Sequence, residues 1–148
     1  MNFPGLSILG VLAFVVALLF SVMVHEAGHY LTAKKFSMQV TEFFLGFGKR
    51  IWSFQRGETE FGIKAIPAGG YCRISGMSVN EELPEDVKHR AFYLASVPKR
   101  LIVLGAGSLL HFVLGFLILF VLLAGVGVTT VTNTIGEIVP CVLNTSSG

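Results

Sequence analysis

The residues with the clearest chemical potential are two histidines four positions apart, His25 and His29, with Glu26 between them. Side chains at i and i+4 of an α-helix project from the same face, so both imidazoles can bind one metal ion. Imidazole nitrogens are common ligands of Zn²⁺, and a glutamate beside them can act as general base and then protonate the leaving amine. The pattern HExxH therefore predicts a zinc-dependent hydrolase helix, with His25 and His29 as ligands and Glu26 as the catalytic residue.

This motif closes an uncharged apolar stretch from Phe3 to Val24. A second uncharged stretch runs from Leu101 to Val128, and His111 is its only ionisable side chain. Each exceeds the roughly 20 apolar residues needed to cross the hydrocarbon core of a bilayer. The whole chain of 148 residues is 53% hydrophobic and 14% charged, with a mean hydropathy of +0.72. These values indicate an integral membrane protein with two spans rather than a soluble core.

The cationic residues predict the orientation in the membrane. All 11 lysines and arginines lie between Lys34 and Arg100. The positive-inside rule places this connecting segment, residues 34–100, in the cytoplasm and both termini outside, in a multi-pass protein of the plasma (inner) membrane. No cation precedes Leu6, which disfavours a cleaved signal peptide. Because the basic segment is tethered to a membrane, membrane lipid is an expected partner and nucleic acid is not.

The connecting segment contains β-forming runs. Arg50–Gln55 and Thr59–Ala65 alternate roughly between apolar and polar residues, with Arg56–Glu58 between them; this predicts a β-hairpin. Pro67–Tyr71 predicts a turn that breaks the strand pattern. The hairpin is apolar for a cytoplasmic loop, so its backbone must be covered by protein or line a wet cavity. Pro84–Val97 has helical spacing and predicts a short amphipathic helix.

The predicted fold is a mainly α membrane protein. Two transmembrane helices are joined by a cytoplasmic segment with a membrane-associated β-hairpin and a short amphipathic helix. The predicted regions are the first helix with HExxH (1–33), the hairpin region and loop (34–83), the amphipathic and second transmembrane helices (84–128), and the opening of a further β-rich domain (129–148).

A third zinc ligand is not obvious from the sequence, although catalytic zinc normally has three protein ligands and a water. Outside the motif, the candidates are His89, His111, Asp86 and a few glutamates. Asp86 lies in a predicted surface loop, and His111 is the more interesting candidate. Gly107, His111 and Gly115 share one helix face, and small residues mark close helix contact. His111 is therefore expected near the first helix. It is either a site-lining residue or third ligand, or a histidine hydrogen-bonded to that helix without metal.

At this point the chain resembles the site-2 protease family, the intramembrane zinc metalloproteases. The resemblance covers most of the chain and involves several motifs in order. These are HEAGHY at 25–30, Gly46-Phe47-Gly48, Pro67-Ala-Gly-Gly-Tyr71, Ala91-Phe92 with Ser96, Val97 and Arg100, and Gly107-Ser-Leu-Leu-His-Phe112.

The resemblance implies regulated intramembrane proteolysis of the bacterial type, with Zn²⁺ as cofactor. A single-span membrane protein, such as an anti-sigma factor, is cut within its membrane helix after an earlier cleavage outside. The re-entrant hairpin is expected to hold the unwound substrate by strand addition, which needs little sequence specificity. The substrate-clamp candidates are the glycines of the two motifs there, Gly46, Gly48, Gly69 and Gly70.

The chain departs from the family pattern in two places. The second span usually carries GPxxN, and here Ser108 and His111 stand at the Pro and Asn positions. The family's third ligand is an Asp of an LDG-like motif in a later membrane helix, and this chain contains no LDG. Residues 135–140 resemble the opening of the PDZ-like domain that normally follows. We therefore expect the N-terminal portion of such a protease.

Two other functions stay open at this point. The first is a catalytically inactive module of the same fold that binds membrane helices, which would explain the lack of a third ligand. The second is a membrane zinc carrier, which would need polar residues along the spans. Apart from His111 and Ser21 there are few.

Overall fold

The structure, a computed structural model, describes residues 4–78 and 80–127. Along the sequence, a long helix comes first, a two-stranded antiparallel sheet and a short helical connection follow, and a second long helix comes last. The elements are α1 (Pro4–Lys35), β1 (Val40–Arg56), β2 (Thr59–Ile74), α2 (Glu85–Lys88), a 3₁₀ turn (Phe92–Leu94) and α3 (Val97–Gly125). The predicted start of a PDZ-like domain, residues 129–148, lies outside the described residues.

The two predicted membrane helices are present as α1 and α3. Ile8–Lys35 and Val97–Gly125 contain 18-residue windows with mean hydropathies of 2.6 and 2.5, and both helices are long and apolar enough to cross a bilayer. At the end of α1, Ser37 adopts a left-handed φ of 60°, and the N–H of Met38 donates to the carbonyl of Ala33 at 2.9 Å. This hydrogen bond spans six residues and ends the helix in the manner of a Schellman motif. A proline in the first turn of α3 is compatible with a helix start, because that N–H has no helical partner.

The predicted hairpin is confirmed. Arg56 pairs with Thr59, Gln55 with Glu60 and Arg50 with Lys64 across the turn. Gly57, in that turn, has a φ of 64°, which is readily adopted only by glycine.

The sheet is larger than the predicted hairpin, because both strands bend at glycines. Gly46 and Gly48 have φ of 87° and 83°, and Gly69 has 143°. Residues 42–45 consequently pair twice, with 60–63 on one side and with 70–73 on the other. Where residues 42–45 pair with 60–63, the residue numbers increase along both segments in the same direction. These two segments therefore run parallel, although the hairpin itself is antiparallel.

Two predictions about this region need correction. Pro67–Tyr71 was expected as a turn that breaks the strand, but it lies inside β2 because a bend there keeps the backbone in the sheet. The description "mainly α" also covers only part of the fold, since β1 and β2 have 17 and 16 residues beside helices of 32 and 29.

The amphipathic helix predicted over Pro84–Val97 is not continuous. Only Glu85–Lys88 is α-helical, followed by the 3₁₀ turn. The N–H groups of Phe92 and Tyr93 donate to the carbonyls of Ser75 and Gly76 at 2.9 and 3.1 Å. Hydrogen bonds to the two residues that follow β2 therefore replace the i→i−4 bonds that a helix would need, and local sequence spacing cannot reveal them.

A polar cluster joins the hairpin turn to the end of α1 and to the segment after α2. It is formed by Lys34, Glu58 and Arg90 and is here called the Glu58 clasp. Glu58 accepts from Lys34 at 2.5 Å and from both terminal nitrogens of Arg90 at 2.6 and 2.8 Å. Arg90 also donates through Nε to the carbonyl of Ser37 at 2.9 Å. The bonds from Arg90 and Lys34 lower the pKa of Glu58 to about 2.

The buried apolar cluster lies where α1, the sheet, the 3₁₀ turn and α3 meet. Its side chains are at most 8% exposed. The cluster holds α3 against the end of α1 and thereby fixes where the two helices cross. Its members are Ala33, Met38, Val40, Ile74, Phe92 and Val103.

Candidate metal centre

His25 and His29 lie one turn apart on α1, and their imidazoles converge on α3. The ring centroids are 4.9 Å apart with the planes edge to face. A Cβ placed on Gly107 would lie 2.6 Å from Nε2 of His25 and 2.6 Å from Nε2 of His29. Both nitrogens thus border the same small space, which exists only because residue 107 has no side chain. This space and its donors fit a metal ion bound by two imidazoles.

The Nδ1 atoms of the two histidines are engaged by α3. Nδ1 of His29 lies 2.7 Å from the carbonyl oxygen of Val103. A carbonyl only accepts, so Nδ1 carries the proton and Nε2 is left with its lone pair free. This is the usual outer-shell arrangement of a metal-binding histidine. Nδ1 of His25 lies 3.1 Å from Nδ1 of His111.

Two glycines allow the helices to come this close. We name the contact of Gly28 with Ala106 and Gly107 the glycine crossing. A Cβ on Gly28 would lie 2.5 Å from the carbonyl oxygen of Ala106 and 2.9 Å from Cα of Gly107. Gly28, the glycine inside HEAGH, is thus the position at which the backbone of α3 meets α1. Gly115, the third member of the predicted face, has no neighbour within 4 Å.

Glu26 points from α1 towards the second strand. A Cβ on Gly70 would lie 3.6 Å from Cγ of Glu26 and 2.8 Å from Sδ of Met23. Cys72 is near enough for the Glu26 charge to add to burial, and together they raise the pKa of its thiol to about 12. The side chain of Glu26 therefore lies between α1 and the part of β2 that contains Gly70 and Cys72.

The structure does not bring a third ligand to the histidine pair. Among residues 4–78 and 80–127, no three His, Cys, Asp or Glu side chains converge in a way that could hold a metal ion. His111 has both ring nitrogens within hydrogen-bond distance of protein groups, His25 and Ser21. Asp86 and His89, the other candidates, are exposed on and just after α2.

The four clamp candidates lie in the sheet and do not share one surface. At Gly46 a Cβ would meet the carbonyl oxygen of Ile66 at 2.7 Å, and at Gly69 it would meet the ring of Phe47 at 3.2 Å. Gly48 has only the side chain of Ile66 nearby, at 3.4 Å or more. Gly46, Gly48 and Gly69 lie at the bends of the sheet, whereas Gly70 lies beside Glu26 and borders the candidate centre.

Sequence reasoning missed two groups of this site: the Val103 carbonyl that accepts from Nδ1 of His29, and Ser21, whose Oγ lies 2.7 Å from Nε2 of His111. The carbonyl of Val103 has no sequence signal, because every residue carries one. Ser21 does have a signal, since Ser21, His25 and His29 follow one another at i, i+4 and i+8 on α1.

The sequence is similar to known proteins over most of its length. The profile of Peptidase family M50 matches residues 13–146. Zinc metalloprotease Rip1 of Mycobacterium tuberculosis is 48% identical over 98 residues, covering 66% of this chain and 24% of the relative. Protease RseP of Yersinia pestis is 36% identical over 129 residues, covering 86% and 28%. A putative zinc metalloprotease of Thermotoga maritima is 35% identical over 127 residues, covering 86% and 25%. The chain thus spans about a quarter of the length of the curated relatives it matches.

The matched region contains the histidine pair, the sheet and most of both apolar helices. The resemblance seen in the motifs is confirmed. This chain is an integral membrane protein that belongs to peptidase family M50, the site-2 proteases.

Proposed function

We propose that this chain forms the first part of a zinc-dependent intramembrane endopeptidase that cleaves single-span membrane proteins. The observation that supports this most strongly is the convergence of Nε2 of His25 and of His29 on the space at Gly107. The pair lies on α1, one of the two helices that are apolar and long enough to cross a bilayer. Its relatives are named as zinc metalloproteases.

Each of the three motif residues has a distinct task in this proposal. His25 and His29 would hold Zn²⁺ through Nε2, since the Nδ1 atoms are occupied by His111 and by the carbonyl of Val103. When bound, Zn²⁺ supplies a Lewis acid and makes water a nucleophile near neutral pH. Glu26 would take the proton of the attacking water and return it to the leaving amine. Its position between α1 and Gly70 leaves it on the side from which a strand-like substrate would approach.

The third ligand is proposed to come from outside residues 4–78 and 80–127. The family resemblance implies an Asp from a later membrane helix. A third protein ligand is the usual requirement of a catalytic zinc.

Substrate binding is proposed at a free edge of the sheet. The doubled pairing of residues 42–45 leaves the outer edges at residues 50–56 and 70–74. The second edge begins at Gly70, beside Glu26. An unwound substrate segment could add to it through backbone hydrogen bonds, which give affinity with little sequence demand. The expected clients are single-span membrane proteins such as anti-sigma factors.

The orientation is part of the proposal. The exclusive location of Lys and Arg between residues 34 and 100 favours a cytoplasmic sheet side and external termini. The catalytic residues would then lie towards the cytoplasmic end of α1.

Glu26→Gln tests the chemistry in full-length protein reconstituted into liposomes with a fluorescently tagged single-span protein shortened on its outer side. We expect cleavage to fall by about 10²-fold or more, because general acid–base catalysis contributes that much. Glu82→Gln, at an exposed glutamate, is the matched control and should cleave at the parent rate. Normal cleavage by Glu26→Gln would show that the assigned chemistry is wrong.

A second candidate function is an inactive module that binds membrane helices. The lack of a three-ligand group among the described residues favours it. In that case the parent would cross-link to the single-span protein without cutting it, and Glu26→Gln would bind equally well.

A further inference from the structure

A chain of three polar side chains runs from α1 to α3 and back. Oγ of Ser21 lies 2.7 Å from Nε2 of His111, and Nδ1 of His111 lies 3.1 Å from Nδ1 of His25. Ser21 and His25 are one turn apart on α1, so both hold the same α3 residue. Polar side chains inside membrane helices are costly and usually functional, so this arrangement calls for a reason beyond packing.

The direction of these hydrogen bonds is fixed once His25 is a metal ligand. A His25 that uses Nε2 as a lone-pair donor must carry its proton on Nδ1. Nδ1 of His111 then accepts the hydrogen bond from Nδ1–H of His25. The proton of His111 is therefore on Nε2, from which it is donated to Oγ of Ser21. The opposite direction would put a proton on Nε2 of His25 and block metal binding. The tautomer of His111 thus selects the tautomer of His25.

We propose that His111 is a positioning residue that holds His25 in the metal-binding tautomer and orientation, and that Ser21 in turn holds His111. This inference rests on the proposed zinc site. His111 would serve His25 as the Val103 carbonyl serves His29. Outer-shell partners of this kind fix ring orientation and raise the basicity of the ligand.

The same geometry argues against a direct bond from His111 to the metal. Both Nε2 atoms of the ligand pair border Gly107, whereas His111 contacts His25 through the opposite nitrogen. Nε2 of His111 is engaged by Ser21. A third ligand would need a free nitrogen directed to the space at Gly107.

The test is zinc affinity of the full-length protein in detergent, measured by competition with a chromophoric chelator. His111→Leu should weaken binding about 10- to 100-fold, the usual cost of removing an outer-shell partner. His111→Asn should recover most of the loss, because an amide oxygen can accept from Nδ1 of His25. Ser21→Ala should lose less than His111→Leu. His89→Leu, which removes an exposed histidine near α2, is the matched control and should bind like the parent.

A second readout needs no metal. In protein labelled with ¹⁵N-histidine and kept free of zinc, NMR should show the Nδ1-protonated tautomer for His25 and His29 in the parent. In His111→Leu only His25 should lose it, since His29 is held by the Val103 carbonyl. Unchanged tautomer and unchanged zinc affinity in a folded His111→Leu would overturn the proposal.

The outcome for His29→Ala separates this proposal from the zinc site itself. If His29→Ala abolishes zinc binding and His111→Leu does not weaken it, the zinc site stands and the positioning by His111 is wrong. If His29→Ala binds zinc like the parent, the proposed metal site fails and the positioning proposal fails with it.

Discussion

The glycine crossing and the Glu58 clasp join parts of the molecule by opposite means. At the crossing, α1 and α3 meet where side chains are missing, and a Cβ on Gly28 would lie 2.5 Å from a backbone oxygen. At the clasp, long charged side chains connect the hairpin turn to the end of α1 and to the segment after α2. The glycine crossing depends on the small volume of Gly28 and Gly107, and the Glu58 clasp depends on the charges of its side chains.

This difference separates two tasks. The histidine pair needs imidazole positions within tenths of an ångström, which rigid backbone packing provides. The sheet needs only to stay near Glu26, and a half-exposed ion cluster is enough for that. We therefore expect the crossing to tolerate acid or salt and to reject added volume. The clasp should respond in the opposite way.

The largest effect is expected for Gly28→Ala. Its Cβ would collide with the Ala106 carbonyl, so the helices must separate, at a cost of about 1–3 kcal/mol or more. Zinc binding should be lost with the geometry. Thermal unfolding in detergent and zinc content are the measurements. Gly10→Ala on the same helix has no neighbour within 4 Å and should be as stable as the parent or slightly more stable. Equal stability of the two variants would contradict the crossing.

Gly107→Ala should affect zinc more selectively. The added methyl group would lie 2.6 Å from both Nε2 atoms, in the space proposed for the metal. We expect about a 10-fold or greater loss of zinc affinity with little change in helix content by circular dichroism. Gly105→Ala, two residues away with nothing within 4 Å, is the control. Parent-like affinity in Gly107→Ala would place the metal elsewhere.

Glu58→Gln should destabilise the protein without removing zinc. It removes the charge on which Lys34 and Arg90 converge, a loss of about 1–2 kcal/mol for half-buried charged hydrogen bonds. Glu60→Gln is the matched control, because Glu60 pairs with Arg50 inside the sheet and connects no other element. Denaturant unfolding of both variants gives the comparison. A Glu58→Gln as stable as Glu60→Gln would show that the clasp is not a significant tie.

The smallest effect is the acid dependence of the clasp. The pKa of Glu58 is lowered from 4.5 to about 2. Its contribution is therefore complete above about pH 4.5 and is lost as pH falls from there towards 2. The stability difference between the parent and Glu58→Gln, measured by unfolding at several pH values, should shrink over that window. A constant difference down to pH 3 would contradict the assigned pairing.

Features written in local sequence were predicted well. The uncharged apolar stretches gave both membrane helices, the i, i+4 spacing gave the shared face of His25 and His29, and Gly57 lies in the predicted hairpin turn. Each of these depends on residues close together in the chain. The close packing of His111 on the first helix was also expected, because the small residue Gly107 marked that face of α3.

Features that depend on distant backbone were not predictable. The second pairing of residues 42–45 requires bends whose φ angles permit but do not dictate it. The helix expected over residues 84–97 is interrupted because the N–H groups of Phe92 and Tyr93 donate to the two residues that follow β2. Arg90 donates hydrogen bonds to Glu58, which lies 32 positions earlier in the chain. No periodicity in the sequence predicts a pair so far apart.

Zinc content of the full-length protein purified in detergent tests the central claim most directly. It would be measured for the parent, His25→Ala, His29→Ala and Glu26→Gln. We predict one zinc per chain in the parent and in Glu26→Gln, because Glu26 is proposed as the base and not as a ligand, and a large loss in both histidine variants. Full zinc in either histidine variant, or a loss in Glu26→Gln as large as theirs, would contradict the site described above.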